Sequence, residues 1–284
     1  MICVTGAGGT VGGELVSRLE STHAPFRAAY FSLEKAEAIR ARGIEAAVID
    51  YHRPETLYAA FQECDTLFLL GPNVADQTQL ELNAVKAAER AGVRHIVKLS
   101  VMGAHDEAYA IARVHRPVEK AIESSGIGWT FLRPNSFMQN VATYLSHTIK
   151  GDGVFYSASG DGKISHVDVR DIVAVAVQAL TGGDHKAKAY TLTGPEALTY
   201  DELARELSTA VGHPIRHISL APADLKQAML TEGMPAEIAD RMLDLERYYR
   251  EGHAGRITDD IKQATGREPR RFAEYAREIA SSLT

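Results

Sequence analysis

The chain has 284 residues, of which 45% are hydrophobic and 24% charged, and a formal net charge of −6. A chain of this length buries a full core without staples, in one large or two unequal domains. No basic stripe suggests a nucleic-acid surface, no apolar run reaches the roughly 20 residues of a membrane span, and two cysteines make no disulfide framework. The short cluster Arg267, Arg270 and Arg271 reads as a solvated turn, and Cys3 and Cys64 read as small buried hydrophobes. Met1 already stands inside the first strand pattern, so no leader is expected. A cytoplasmic protein with a small-molecule partner follows, with neither nucleic acid nor membrane expected.

Short apolar runs then alternate with helical patterns. Strands are expected at Ile2–Thr5, Phe26–Phe31, Ile44–Asp50, Thr66–Leu70, His95–Ser100 and Trp129–Leu132. Helices are expected at Val11–Glu20, Leu33–Arg42, Pro54–Gln62, Gln77–Ala91 and Ala108–Ser125. The strands are consecutive apolar residues with little alternation, the mark of strands covered on both faces. Strand–helix alternation of this length implies right-handed βαβ units and a parallel sheet. After about Asn135 the rhythm changes. A strand edge and helix over Val167–Leu180 and a strand at Tyr190–Thr193 return to the first pattern. Thr199–Val211 reads as a helix with Thr199 as N-cap and Glu202 completing a capping box. Ile215–Leu220 is strand-like, and the chain reads as mainly helical from Pro222 onward. The expected fold class is α/β: a Rossmann-type, doubly wound parallel sheet with a smaller, mainly helical C-terminal domain for substrate. The first domain spans residues 1–150, with 165–195 returning to it. The remainder of 151–284 forms the smaller, interwoven domain.

The opening strand runs into Gly6-x-x-Gly9-x-x-Gly12 at the head of a helix. The spacing has physical causes. The first glycine allows the tight turn, the second lets backbone approach a pyrophosphate, and the third lets the helix pack close to the sheet. The helix N-terminus then offers unpaired N–H groups and a positive dipole end to phosphates. A nicotinamide dinucleotide is the expected cofactor, held by Thr5, Gly6, Gly8, Gly9, Thr10, Val11 and Gly12. In NAD enzymes a carboxylate near the tip of the second strand takes the ribose 2′-OH. Here that tip reads Tyr30-Phe31-Ser32-Leu33-Glu34-Lys35, with no carboxylate at its end. Ser32 and Lys35 are candidate phosphate contacts, which favours NADP(H) over NAD(H). Asp50 and Tyr51 follow the third strand, beside the expected adenine. Leu70, Gly71 and Pro72 close the fourth strand against the cleft. No Gly-x-Ser-x-Gly elbow occurs, and His213 and His217 straddle Pro214 without further ligands, so no metal is expected.

Three segments carry a family resemblance. They are Thr5-Gly6-x-x-Gly9-x-x-Gly12, the stretch from His115 to Thr130, and Leu132-Arg133-Pro134-Asn135-x-Phe137-Met138-x-Asn140. Together, over essentially the whole chain, they resemble the NmrA-like branch of atypical short-chain dehydrogenases/reductases. The likeness is greatest to NAD(P)H-dependent quinone and triphenylmethane-dye reductases. The resemblance implies a substrate cleft between a large cofactor domain and a small C-terminal one. It also implies that the loop after the sixth strand faces the nicotinamide. Asn135 then falls to the cofactor, and Ser136, Phe137 and Met138 to an apolar substrate. Core packing is the competing account of Phe137 and Met138. Phe31 stands where NADP-binding members often carry arginine.

The Tyr-x-x-x-Lys pair of short-chain reductases is missing. Tyr109 is followed four residues on by Arg113, and the resemblance places Ile111 at the tyrosine position and His115 at a catalytic lysine position. His115 and Ser100 are the remaining catalytic candidates. Ser100, at the end of the fifth strand, is also a nicotinamide contact; His115 is a proton donor or a helix residue satisfied by neighbours. The expected function is an NAD(P)H-dependent oxidoreductase passing hydride to a quinone-like or conjugated apolar acceptor. The alternative is a non-catalytic, NAD(P)-binding redox sensor acting through a regulatory protein partner. A reductase or isomerase of a secondary-metabolite intermediate is a third option. A homodimer remains compatible with the sequence. Met229, Met234 and Met242 with Tyr248 and Tyr249 read as a lid over the cleft or an ordinary helical core.

Overall fold

A computed structural model describes residues 1–182 and 184–284. Five strand–helix pairs and a sixth strand occupy the first half: β1 (Ile2–Val4), α1 (Thr10–Glu20), β2 (Phe26–Tyr30), α2 (Leu33–Arg40), β3 (Glu45–Val48), α3 (Pro54–Phe61), β4 (Thr66–Leu69), α4 (Gln77–Ala91), β5 (His95–Leu99), α5 (Ala110–Ser124) and β6 (Gly128–Pro134). Then follow a π-helical turn over Val141–Leu145, α6 (Ser146–Asp152), β7 (Val154–Ser157), α7 (Val169–Thr181), β8 (Lys188–Leu192), α8 (Tyr200–Val211) and β9 (Arg216–Ser219). The chain closes with α9 (Pro222–Thr231), α10 (Ala236–Arg250), α11 (Asp260–Thr265), α12 (Phe272–Ile279) and a short 3₁₀ turn.

The main sheet is parallel, in the order β3-β2-β1-β4-β5-β6-β8. Both faces are covered, as the uninterrupted apolar strands require. On one face Val11, Leu15 and Leu19 of α1 meet Ile172, Val173 and Ala176 of α7 over β1, β4 and β5. On the other, Leu57 and Phe61 of α3, Leu80 and Ala84 of α4, and Val118 and Ile122 of α5 pack together. Cys3 and Cys64 are both buried on that second face. Strand order reverses between β1 and β4. There the helices leave in opposite directions and open a crevice at the C-terminal edge of the sheet.

The remainder of the chain is threaded through this layer. Helix α7 and strand β8 belong to the main sheet. The segments around them build a second core from Met138, Ile149, Phe155, Leu203, Leu207, Phe272 and Tyr275. Its small parallel sheet pairs β7 with β9. The pattern did not reveal β7, whose four residues Val-Phe-Tyr-Ser pair with a strand more than fifty residues away. The capping box at α8 forms: Glu202 N–H donates to Thr199 Oγ1 at 3.1 Å, and Thr199 N–H donates to Glu202 Oε2 at 2.8 Å. The sixth strand runs two residues past its expected end at Leu132. Arg133 and Pro134 stay paired with β8, where Asn135 N–H resumes donation to Leu192 O, and on the β5 side the Pro134 carbonyl accepts Met102 N–H.

Candidate functional site

The glycine loop lies at the crevice between β1 and β4. Gly6 takes a positive φ of 64°, and its carbonyl is approached so closely by α1 that a Cβ on Gly12 would sit 2.1 Å from it. Gly8, Gly9 and Thr10 are exposed, and a Cβ on Gly9 would meet only Gly6 O, at 3.5 Å. Helix α1 has no side-chain cap and no acid in its first turn, so its first N–H groups point into an open cradle. These features fit a diphosphate. A cleft of about 610 Å³ continues from the loop along the ends of β2, β3 and β4.

The walls of that cleft come from most of the residues expected there. Phe31, Ser32 and Lys35 line it at the β2 tip, Asp50 and Tyr51 after β3, and Leu70, Gly71 and Pro72 after β4. Phe31 is largely exposed, and the Ser32 hydroxyl caps α2 by accepting Lys35 N–H at 3.3 Å. The Lys35 side chain reaches back over the glycine loop: a Cβ on Gly8 would lie 3.6 Å from its Nζ. Asp50 is the one carboxylate lining the cleft among the described residues, and it accepts His52 N–H in a local turn. Tyr51 donates to Leu70 O at 2.8 Å, and burial raises its pKa well above the usual phenol value. Thr5 shapes the cleft from beneath. Its hydroxyl has no exposure, sits within hydrogen-bond reach of Phe68 O and Leu70 O, and accepts Leu70 N–H. Val11 is buried in the core. Sequence reasoning missed Tyr30, Ile49, His52, Val74 and Leu80 on the walls. For Tyr30, Ile49, His52 and Val74 the only sequence signal is position, at or shortly beyond strand ends, and for Leu80 its place in the first turn of α4.

The wall at Gly71 rests on a buried ion pair. Glu81 Oε1 accepts Gly71 N–H at 3.0 Å, and Glu81 Oε2 lies 2.7 Å from Lys98 Nζ, with neither side chain exposed. A Cβ on Gly71 would lie 2.5 Å from Glu81 Cγ, so this glycine is required by the carboxylate that packs on it. Lys98 Nζ also donates to Leu99 O and lies 3.2 Å from His115 Nδ1.

That contact fixes where His115 lies. The ring is fully enclosed beneath the sheet edge, and burial first, then the Lys98 ammonium, push its pKa well below the usual histidine range. It is neutral and does not line the cofactor cleft. Ser100 is likewise turned inward. Its hydroxyl donates to Glu119 Oε1 at 2.7 Å. Burial raises the Glu119 carboxyl, but Arg133, with Ser100 and Arg116, more than offsets it and holds the pKa below the usual range. Tyr109 is buried beside Tyr248 with its pKa pushed well up, so it is no substitute acid.

The loop after β6 also serves the architecture. Asn135 Nδ2 is within hydrogen-bond distance of Ser165 Oγ and Ala254 O, and its Oδ1 accepts Ser136 N–H, so its amide ties the loop to the C-terminal segment. Met138 has no exposure and packs in the second core, and Phe137 is half-buried against the first. Of the residues expected to face cofactor and substrate, Asn135 and Met138 are thus buried within the packing, and neither lines the cofactor cleft. Ser136 is half-buried, and its hydroxyl accepts from Asn140 Nδ2 at 3.3 Å. Met229, Met234 and Met242 are all half-buried on α9, α10 and the turn between them. That hairpin is tied to the cleft rim where Arg241 donates to Ala75 O. A second cleft, of about 440 Å³, opens at the ends of β5, β6 and β8 under Tyr248 of α10.

His217 has a place of its own. Its Nδ1 lies 2.9 Å from Asp201 Oδ1 and its Nε2 lies 2.8 Å from Ser157 Oγ. The trio resembles a hydrolytic triad, but Ser157 is almost wholly buried and shares a second hydrogen bond with Ser159. It links α8 to the small sheet. No group of three or more His, Cys, Asp or Glu among the described residues is placed to hold a metal.

A switch-point crevice, a glycine cradle at an uncapped helix start and a nucleotide-sized cleft define a dinucleotide-binding protein of Rossmann type. The chain belongs to the NmrA-like family, whose model matches residues 1–277. It is 40% identical over 284 residues to an NAD(P)H azoreductase of Xenophilus azovorans, covering 100% of this chain and 99% of that one. The structure of an NADPH-dependent quinone oxidoreductase of Escherichia coli, complexed with NADPH, superposes with a TM-score of 0.90 at 29% identity, covering 98% and 99% of the two chains. The triphenylmethane reductase of Citrobacter sp., complexed with NADP(H), gives 0.89 at 27%, covering 99% and 100%.

Proposed function

We propose that this chain is an NAD(P)H-dependent reductase that passes hydride to a quinone-like or otherwise conjugated acceptor, and that it prefers NADPH. The observation that carries the cofactor reading is the glycine cradle with Lys35 laid over it and no carboxylate at the β2 tip. A phosphate on the ribose would find an ammonium there, whereas the 2′-OH of NAD would find no carboxylate. Full-length similarity to proteins named as reductases supports the activity.

A bound nicotinamide supplies the hydride, and a quinone gaining that hydride and one proton becomes a hydroquinone. The chain's residues bind and orient. The α1 N-terminus and glycine backbone take the diphosphate, Lys35 the 2′-phosphate, and the Leu70–Pro72 wall, fixed by Glu81, confines the rest. Neither catalytic candidate of the sequence is placed to give the proton: Ser100 is engaged with Glu119, and His115 is buried and neutral. The proton therefore comes from solvent, which suits an acceptor needing little acid help.

The test is equilibrium binding of NADPH and NADH, followed by oxidation of each with a panel of quinones and dyes. NADPH should bind more tightly, and Lys35→Ala should erase most of that advantage, about tenfold for one charge-assisted contact. Equal affinities in the parent would overturn the preference. Binding without turnover of any acceptor would overturn the reductase and favour a dinucleotide-sensing regulator.

A further inference from the structure

We propose that the second cleft selects acceptors carrying an anionic substituent, a sulfonate, carboxylate or phosphate on a planar conjugated core, and that Arg256 is the residue that recognises it. The inference rests on the reductase reading for the nature of the core.

The cleft lies along the same C-terminal edge of the sheet as the cofactor cleft, with Met102 and Gly103 after β5, Arg133 in β6 and Thr191 in β8. Its charged lining is uneven: Arg133, Arg247 and Arg256 against the single carboxylate Asp106. Two of the arginines are engaged. Arg133 donates to Glu119 at 2.9 and 2.8 Å, and Arg247 pairs with Asp244 at 2.8 Å and Glu251 at 2.6 Å. Arg256 has no ion-pair partner among the described residues.

Its backbone is held firmly although its side chain is exposed. Ser165 Oγ donates to Arg256 O at 2.7 Å, and Ser165 N–H and Asn135 Nδ2 converge on Ala254 O at 3.0 and 2.8 Å. Two residues on, Thr258 N–H donates to Thr193 Oγ1 at 3.0 Å, and its hydroxyl donates to Thr191 O. The irregular strap over residues 255–258 is thus stitched to the ends of β6 and β8, and the guanidinium starts from a fixed base at the rim. Such a base lowers the entropy lost on engaging a ligand.

Beside it stands an aromatic wall. Tyr248 packs on Tyr109 with ring centroids 4.6 Å apart and on His253 at 5.3 Å. A planar core suits that wall, and an arginine fork suits an oxyanion bidentately. A cationic acceptor would bring its charge against the same arginines and be disfavoured.

The test compares 1,4-naphthoquinone with its 2-sulfonate and with a core bearing a trimethylammonium group, each with NADPH. Because the substituent also changes the acceptor's reduction potential, the quantity read is how the anionic-to-neutral ratio of kcat/KM changes between variants. Arg256→Ala should lower that ratio about tenfold, the loss of one exposed charge-assisted contact. Arg267→Ala, over on the α1–α7 side, should leave it unchanged. A parallel titration of naphthalene-2-sulfonate onto the protein saturated with NADP⁺ should show about tenfold weaker binding in Arg256→Ala. If the neutral quinone is reduced but the ratio is the same in both variants, anion selection is overturned while the reductase stands. If no acceptor is reduced, the reductase falls and the titration alone decides: Arg256-dependent binding supports the site, and equal binding overturns it. Inorganic sulfate binding as tightly as the naphthalene sulfonate would overturn the assignment to a conjugated ligand.

Discussion

Replacing Glu81 with Gln isolates the ion pair beneath the cofactor cleft. Neither Glu81 nor Lys98 has any exposed side-chain surface, and their charged atoms are 2.7 Å apart. Removing one charge leaves the other in a desolvated site, which costs about 3–5 kcal/mol in buried pairs. The Lys98 ammonium keeps Leu99 O, but its other neighbour, His115, offers a neutral ring nitrogen. Native stabilities are about 5–15 kcal/mol, so the variant should be folded but marginal. Urea unfolding followed by far-UV circular dichroism should show a midpoint lower by about 1–2 M. Gln retains an oxygen to accept Gly71 N–H, so NADPH affinity should change far less than stability. Adding Lys98→Met removes the stranded charge and should recover most of the loss. A single variant within about 1 kcal/mol of the parent, or a double variant no better than the single, would refute the claim that the charge pair is buried and coupled.

Gly12→Ala places a methyl 2.1 Å from Gly6 O, and overpacking against backbone should cost about 3 kcal/mol and weaken dinucleotide binding, measured by melting and titration. His115→Gln should alter stability while changing kcat per folded molecule less than about threefold; a loss of orders of magnitude would restore the histidine as an acid. Two buried groups give opposite pH signatures. Burial lowers His166 from 6.5 to about 4. The unfolded chain therefore binds its proton more readily between those values, and stability is lost as pH falls, by about 2 kcal/mol at pH 5. His166→Leu should remove that loss. Burial raises Glu246 from 4.5 to about 7, offset only in part by Ala158 N–H and Arg250. The folded chain holds that proton more tightly, so stability falls as pH rises through this window, by about 3 kcal/mol at pH 8. Glu246→Gln should therefore be more stable than the parent at pH 8 and nearly equal at pH 5. Urea midpoints across pH 5–8 read both, and parallel slopes for parent and variants would contradict them.

The Rossmann layer and its cradle were legible because their causes are local. Apolar runs of strand length, glycines where helices stop and the Gly6–Gly9–Gly12 spacing each act within a few residues, so the first six strands and five helices were evident to within a few residues. Lys35 and the absence of a carboxylate at the β2 tip were visible for the same reason. What stayed hidden depends on partners far along the chain. Strand β7 exists because β9 pairs with it, and the fate of His115 was set by Lys98 and Glu81 on two other elements. No periodicity reports whether a polar residue at a sheet edge points into a cleft or finds a buried partner. The second cleft is the extreme case, since its lining is gathered from the ends of three strands, α10 and the strap around Arg256. The sequence by itself determined the dinucleotide scaffold, through backbone sterics and burial patterns that need only near neighbours. Tertiary structure alone set Ser100 against Glu119, Asn135 against Ala254 O and His115 against Lys98. It alone also placed a guanidinium with no ion-pair partner among the described residues beside an aromatic wall, because desolvation and ion pairing are settled only once distant segments meet.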